Sequence, residues 1–194
     1  VTTVAYDGRA STATSGAVVG GLDGGRTYVM AVSAFSSAGE GERSPAVRVS
    51  TAPGVAANVR SVTQTTGSVT LAWDAPASHG DADVTGYVVH RDDGAGGTAL
   101  ETLAYDGASS NSTGGVVTGL EGGRLYSFAV SALSASGTGT RSAVLAQSTA
   151  APAVADLAST AQTTTSVTLQ WSASAVATGS AVTTYVVYRD DGVP

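Results

Sequence analysis

The residues of this chain that could do chemistry are few, and their spacing gives them little to do. Histidine occurs only at His79 and His90, and cysteine is absent. An imidazole acts as a general base only when another group fixes its tautomer and position. Neither histidine has such a partner in the pattern, and the residue 98 positions after His90 is Tyr188, so both read as structural or solvent-facing. Asp81, Asp83, Asp92 and Asp93 form the densest acidic group. Hard carboxylate oxygens of this kind suit Ca²⁺, but the spacing fits no calcium loop, and Asp81 and Asp83 have no counterparts later in the chain. Turn chemistry accounts for Asp92-Asp93-Gly94, because an Asp side chain bonds the backbone two residues on. The expectation is therefore no catalytic residue, no metal site and no cofactor.

Two kinds of surface chemistry remain. Asn111-Ser112-Thr113 is an N-glycosylation sequon on an expected loop, where an acceptor must be exposed. The aromatic residues Tyr6, Phe35, Tyr105 and Tyr188 are the ones expected to face solvent, where sugar rings could stack, but they form no row. The glycine pairs Gly24-Gly25 and Gly122-Gly123 precede strand-like runs rather than helices, so they are no phosphate cradle. Their conformational freedom serves a turn.

Composition narrows the partners. The chain has 194 residues and a formal net charge of −6, with its arginines scattered, which argues against nucleic acid, since polyanion binding needs clustered Lys and Arg. No apolar run approaches the roughly 18 residues of a membrane span. Without cysteine there is no disulfide framework, so any domain must hold by packing. The first residue, Val1, is neither an initiator Met nor the start of a signal-peptide pattern, which fits an internal piece of something longer.

The elements that must position these residues are strands. Val, Thr, Ser, Gly and Ala dominate and only 12% of residues are charged, a composition that favours short β-branched strands joined by Gly and Ser turns. The stretch QTTGSVTLAW at 64–73 returns as QTTTSVTLQW at 162–171, a spacing of 98 residues, which makes the chain a repeat array. Val69, Leu71 and Trp73 alternate on one strand, and Tyr126, Phe128, Val130 and Ala132 on another, so each set should face one core. LDGGRTY at 22–28 matches LEGGRLY at 120–126, and RDDG at 91–94 matches RDDG at 189–192.

These residues resemble a tandem fibronectin type III array. The resemblance rests on a single Trp on the second strand (Trp73, Trp171), a Tyr-x-Val third strand (Tyr87, Tyr185), and a Leu-x-x-Gly-x-x-Tyr corner (Leu22 with Tyr28, Leu120 with Tyr126), followed by a Ser-x-x-Gly-x-Gly loop. It covers the whole chain. The corner has Gly where many members carry Pro-Gly, and no Arg-Gly-Asp tripeptide occurs, so integrin binding by that motif is unsupported. The resemblance implies an all-β fold of immunoglobulin-like sandwiches, with strands A, B and E on one sheet and C, C′, F and G on the other. It also implies that the Trp, Tyr and Leu residues just named are core, and that the corner Tyr hydroxyl meets a backbone group near the preceding turn.

One domain is expected to be complete, at 52–150. Residues 1–51 should supply only strands C′, E, F and G, and residues 151–194 only A, B and C. Three strands drawn from two sheets cannot cover Trp171, and they leave open edges. The two pieces are complementary, so the expected partner is a neighbouring unit of the same kind, head to tail, completing each end by covalent continuity or strand donation. Other surface proteins or glycans are further candidate partners. The leading functional expectation is a non-catalytic extracellular or cell-surface structural repeat, a bead in an adhesive filament or appendage. The alternative is a spacer or carbohydrate-binding accessory module of a secreted polysaccharide-degrading enzyme.

Overall fold

The computed structural model describes residues 3–8 and 15–190. Val1, Thr2, Arg9 to Thr14, and Asp191 to Pro194 lie outside them. The strands, in chain order, are β1 (Thr27–Met30), β2 (Phe35–Ser36), β3 (Gly39–Glu40), β4 (Val47–Ser50), β5 (Ala57–Gln64), β6 (Ser68–Asp74) and β7 (Val84–Arg91). They continue with β8 (Thr102–Gly107), β9 (Gly114–Thr118), β10 (Leu125–Ser134), β11 (Gly137–Thr138), β12 (Leu145–Ser148), β13 (Ala155–Gln162) and β14 (Val167–Ser172). The fold is all-β.

The central sandwich arises from period-two alternation on β6, β7 and β10. Along β6, Val69, Leu71 and Trp73 are buried while the residues between them are partly open. β6 lies between β5 and β9, giving the three-stranded sheet β5-β6-β9. The facing sheet runs β11-β10-β7-β8, with β12 also pairing β10. In family letters these are A-B-E and C′-C-F-G, as expected. All pairings are antiparallel. Inward residues of both sheets meet in one core: Trp73 packs against Tyr87 at 5.4 Å and edge-on to Tyr105 at 6.3 Å, with Val69, Val89, Val117, Phe128 and Val130 fully enclosed. Each Val or Phe so enclosed contributes about 1.5–3 kcal/mol over leaving it in water.

Two irregularities recur at the 98-residue spacing. β5 bulges between Ala57 and Arg60, and β13 between Ala155 and Ala158. At each bulge sits a non-glycine residue in the left-handed region, Asn58 at φ 49 and Asp156 at φ 55, residue types that tolerate it. Asn58 Nδ2 donates to Asp74 at 2.6 Å, and Ser172 Oγ donates to Asp156 at 2.5 Å. The second irregularity precedes β12, where Val130 N–H donates to Ser142 Oγ at 3.0 Å. Ser44 receives the Val32 N–H in the same way, at 3.1 Å.

The outer segments differ from the expected strand lists. Among the described residues of 1–51, β1 with β4 and β2 with β3 form two short ladders, the F and G strands, but the positions of C′ and E carry no strand. In 151–190, β13 pairs β14, yet the expected third strand around Tyr185 has no ladder. The reason is the sheet order. In the central sandwich the C strand, β7, is held by β8 and β10, and the E strand, β9, by β6. Each outer segment has the one member of such a pair and lacks the other.

Candidate functional site

The acidic residues do not converge. Asp92 is buried, and its Oδ1 accepts from Gly94 N–H at 3.2 Å and Ser127 N–H at 3.1 Å. Asp93 Oδ1 accepts from Ala95 N–H at 2.9 Å. Both are occupied in shaping the turn after β7, where Gly94, at φ 72, leaves room for the Tyr126 ring. Asp81 pairs with Arg48 at 2.8 Å, whose hydrogen bond, with a second from Thr27, holds its carboxyl below the usual range. Asp83 is open to solvent, 4.0 Å from His79 Nδ1, too far for a hydrogen bond. Among the described residues no cluster of three or more acidic or histidine side chains could hold a metal ion. His90 sits on the outer side of β7, and burial together with the Arg141 charge lowers its pKa. Its Nδ1 is buried with no hydrogen-bond partner among the described residues.

The two corners have one geometry. The Tyr126 hydroxyl accepts from Glu121 N–H at 3.0 Å, and Tyr28 accepts from Asp23 N–H at 2.9 Å. Thr149 Oγ1 donates to Glu121 O at 2.7 Å and accepts from Arg124 N–H at 3.1 Å; Thr51 does the same with Asp23 O at 2.8 Å and Arg26 N–H at 3.0 Å. These threonines were not singled out from the sequence, although their 98-residue spacing in matching STA contexts marks them. The Arg91 guanidinium lies 5.3 Å over the Tyr126 ring, and burial pushes the Tyr87 hydroxyl pKa up.

Burial separates equivalent residues. Trp73, Tyr87, Leu120 and Tyr126 are buried. Trp171, Leu22 and Tyr28 are half-buried and Tyr185 is 40% exposed, so these four are not enclosed core in this chain. Among the described residues Trp171 keeps only Tyr185 as an aromatic neighbour, at 5.5 Å. Val167 is 60% exposed where Val69 is 0%, and Val32 75% where Val130 is 0%. The physical difference is the opposing sheet, present in the centre and missing at the ends.

Asn111 is exposed in the loop between β8 and β9. Of the aromatic residues expected on the surface, Tyr6, Phe35 and Tyr188 are exposed. Tyr105 is not. Its ring turns onto Trp73 because Gly107 and Gly115 carry no Cβ; one placed on either would lie 2.7–2.8 Å from the ring. A shallow groove of about 400 Å³ runs between the start of β5 and the approach to β12, lined by Val55, Asn58, Ser142 and Val144 among others. It has no charged side chain in its lining.

A comparison with protein families matches the fibronectin type III domain over residues 51–148, the central sandwich just described. The chain belongs to the fibronectin type III family. Chitinase A1 of Niallia circulans is 40% identical over 149 residues, covering 72% of this chain and 19% of that protein. The chain thus spans less than a fifth of this relative's length. Among solved structures, the FN5 domain of Drosophila Lar is 27% identical and covers 52% of this chain and 99% of its own, with a TM-score of 0.41. Domains A168–A170 of titin are 25% identical over 64% of this chain and 40% of theirs, with a TM-score of 0.46.

Proposed function

We propose that this chain is a non-catalytic, extracellular array of fibronectin type III domains that acts as a spacer within a secreted polysaccharide-degrading enzyme. The observation that carries this reading is the 40% identity to a chitinase over 72% of the chain. The fibronectin domain is about half of the chain, so a match that long takes in part of it and extends into at least one outer segment. A repeat that contacts only its neighbours sets a distance by copy number, which suits the task of holding a catalytic domain off an insoluble surface. The dispersed acids and histidines support a chain that does no chemistry itself.

The test compares the parent protein with a version lacking these residues. Deletion should lower the rate on insoluble polysaccharide and leave the rate on a soluble oligosaccharide unchanged. An equal loss on both substrates, or hydrolysis by the isolated chain, would overturn the proposal.

A second reading, a filament of head-to-tail units, is favoured by the exposed inward faces of the outer segments, Val32 at one end and Leu157, Val167 and Val187 at the other. In that reading each face is covered by the complementary part of a neighbouring unit. Concentration-dependent growth of long species in sedimentation velocity supports it; a species fixed at 18.9 kDa at all concentrations excludes assembly by strand donation.

A further inference from the structure

The glycine pair at each corner touches more than its own turn. Gly25 N–H donates to Ala52 O at 2.6 Å, and Gly123 N–H to Ala150 O at 2.8 Å, which folds each linker back onto the preceding corner. The next segment's loop, between its second strand and its third-strand position, then closes on the same spot. At the first junction Ser78 Oγ donates to Gly24 O at 3.3 Å and Asp81 N–H to Ser50 Oγ at 3.0 Å, with the Arg48–Asp81 ion pair beside them. At the second, Ala177 N–H and Gly179 N–H both donate to Gly123 O, at 3.1 and 3.0 Å, and Leu125 N–H donates to Thr178 Oγ1 at 3.0 Å. Ser148 and Ser180 hydroxyls meet at 3.3 Å. Different side chains thus join the same two places, 98 residues apart.

Sterics distinguish a joint from a turn. Gly25 and Gly123 both have φ +67, which a turn alone explains and which Asn tolerates. A Cβ on Gly25, however, would lie 2.2 Å from Ser78 O, and one on Gly123 3.1 Å from Ala175 O. The obstruction belongs to the following segment. Gly21, in the same left-handed conformation at φ +70, has open space around it.

We propose that the corner is an interaction surface whose partner is the loop after the second strand of the following repeat. The contact fixes the angle between consecutive repeats. This goes beyond the spacer reading and holds equally for a filament; it requires only that the outer segments are repeats of the central one.

The absence of cysteine makes the test direct. Spin labels on V47C and V62C, both at exposed positions, report the distance across the first junction in the full chain. Unrestrained domains move relative to one another by default. The unmodified junction should give one narrow distance, G25N should broaden it at least about twofold, and G21N should leave it narrow. Equal effects of G25N and G21N, or a broad distribution in the parent chain, would overturn the proposal. Hydrogen exchange of the β1–β4 ladder checks the hairpin: if G25N abolishes that ladder's protection, the glycine serves its own turn and the proposal fails.

Discussion

Replacing Trp73 by Ala, with the same change at Trp171 as the internal comparison, tests the account of burial most directly. Trp73 is 1% exposed and touches Tyr87 and Tyr105 across the core. Its truncation removes the largest enclosed side chain and leaves a cavity both sheets must tolerate, a cost of about 3–5 kcal/mol. For a domain of this size about 1 kcal/mol moves the melting temperature by 4–8 °C, so the central transition should fall by roughly 12–40 °C. Among the described residues Trp171 has one aromatic neighbour and no sheet above it, so its truncation should cost the central domain less than about 1 kcal/mol. The two tryptophans are the only ones, and each variant leaves the other as sole reporter. Urea unfolding of the 194-residue chain is therefore followed by circular dichroism, which reads the central sandwich in both variants, with Trp fluorescence added for Trp171→Ala, where Trp73 reports that sandwich. Trp171→Ala should leave a blue-shifted emission and an unchanged cooperative midpoint. Comparable midpoint losses in the two variants, or an unmoved midpoint in Trp73→Ala, would refute the reasoning.

Three further outcomes follow. Tyr126→Phe deletes the hydrogen bond from Glu121 N–H and should cost the central domain about 0.5–1.5 kcal/mol in chemical denaturation, whereas Tyr28→Phe, which deletes the same bond in the first segment, should leave that midpoint in place. Asn58→Val puts a β-branched residue at φ 49 and should destabilise by about 1–3 kcal/mol, with Asn58→Gly close to neutral; equal losses would mean the side-chain bond to Asp74, not the backbone, sets the cost. The Asn58 hydrogen bond, followed by Arg60, holds the Asp74 carboxyl below its ordinary value. A carboxylate lowered in the folded state stabilises fully above its unfolded pKa of about 3.9 and loses that contribution as pH falls through the folded value. Asp74→Asn should therefore flatten the stability profile below about pH 4 and leave its shape at neutral pH unchanged; an unchanged acid limb would contradict this.

Much of the fold was legible because burial and periodicity coincide. The inward residues of β6 alternate without a break, those of β10 keep the same parity although Ala129 and Ser131 on its other face are buried as well, and the family motif fixes their order. What stayed hidden lies where one backbone atom depends on another far along the chain. Nothing in the run around Asn58 signals a bulge except the acidic and amide residues repeated there. Ser142 and Thr149 look like surface residues, yet both are buried because their hydroxyls satisfy backbone groups the bends would otherwise orphan. Tyr105 was expected to face solvent because a neighbour's missing Cβ cannot be read as space until the strands are paired. The third strand near Tyr185 shows the opposite limit: a strand-prone sequence takes no strand where its ladder partners are missing.

The identical registers of β5 with β6 and of β13 with β14, bulges included, bear on how such a chain avoids misassembly. β9 pairs β6, but β14 offers it nearly the same inward side chains. The closing loops are similar, residues 75–113 on one side and 119–166 on the other, and loop-closure entropy separates them by only about 0.2 kcal/mol. Loop-closure entropy does not choose between the two pairings. Time does, because during synthesis β6 is already waiting when β9 emerges, and β14 has yet to be made.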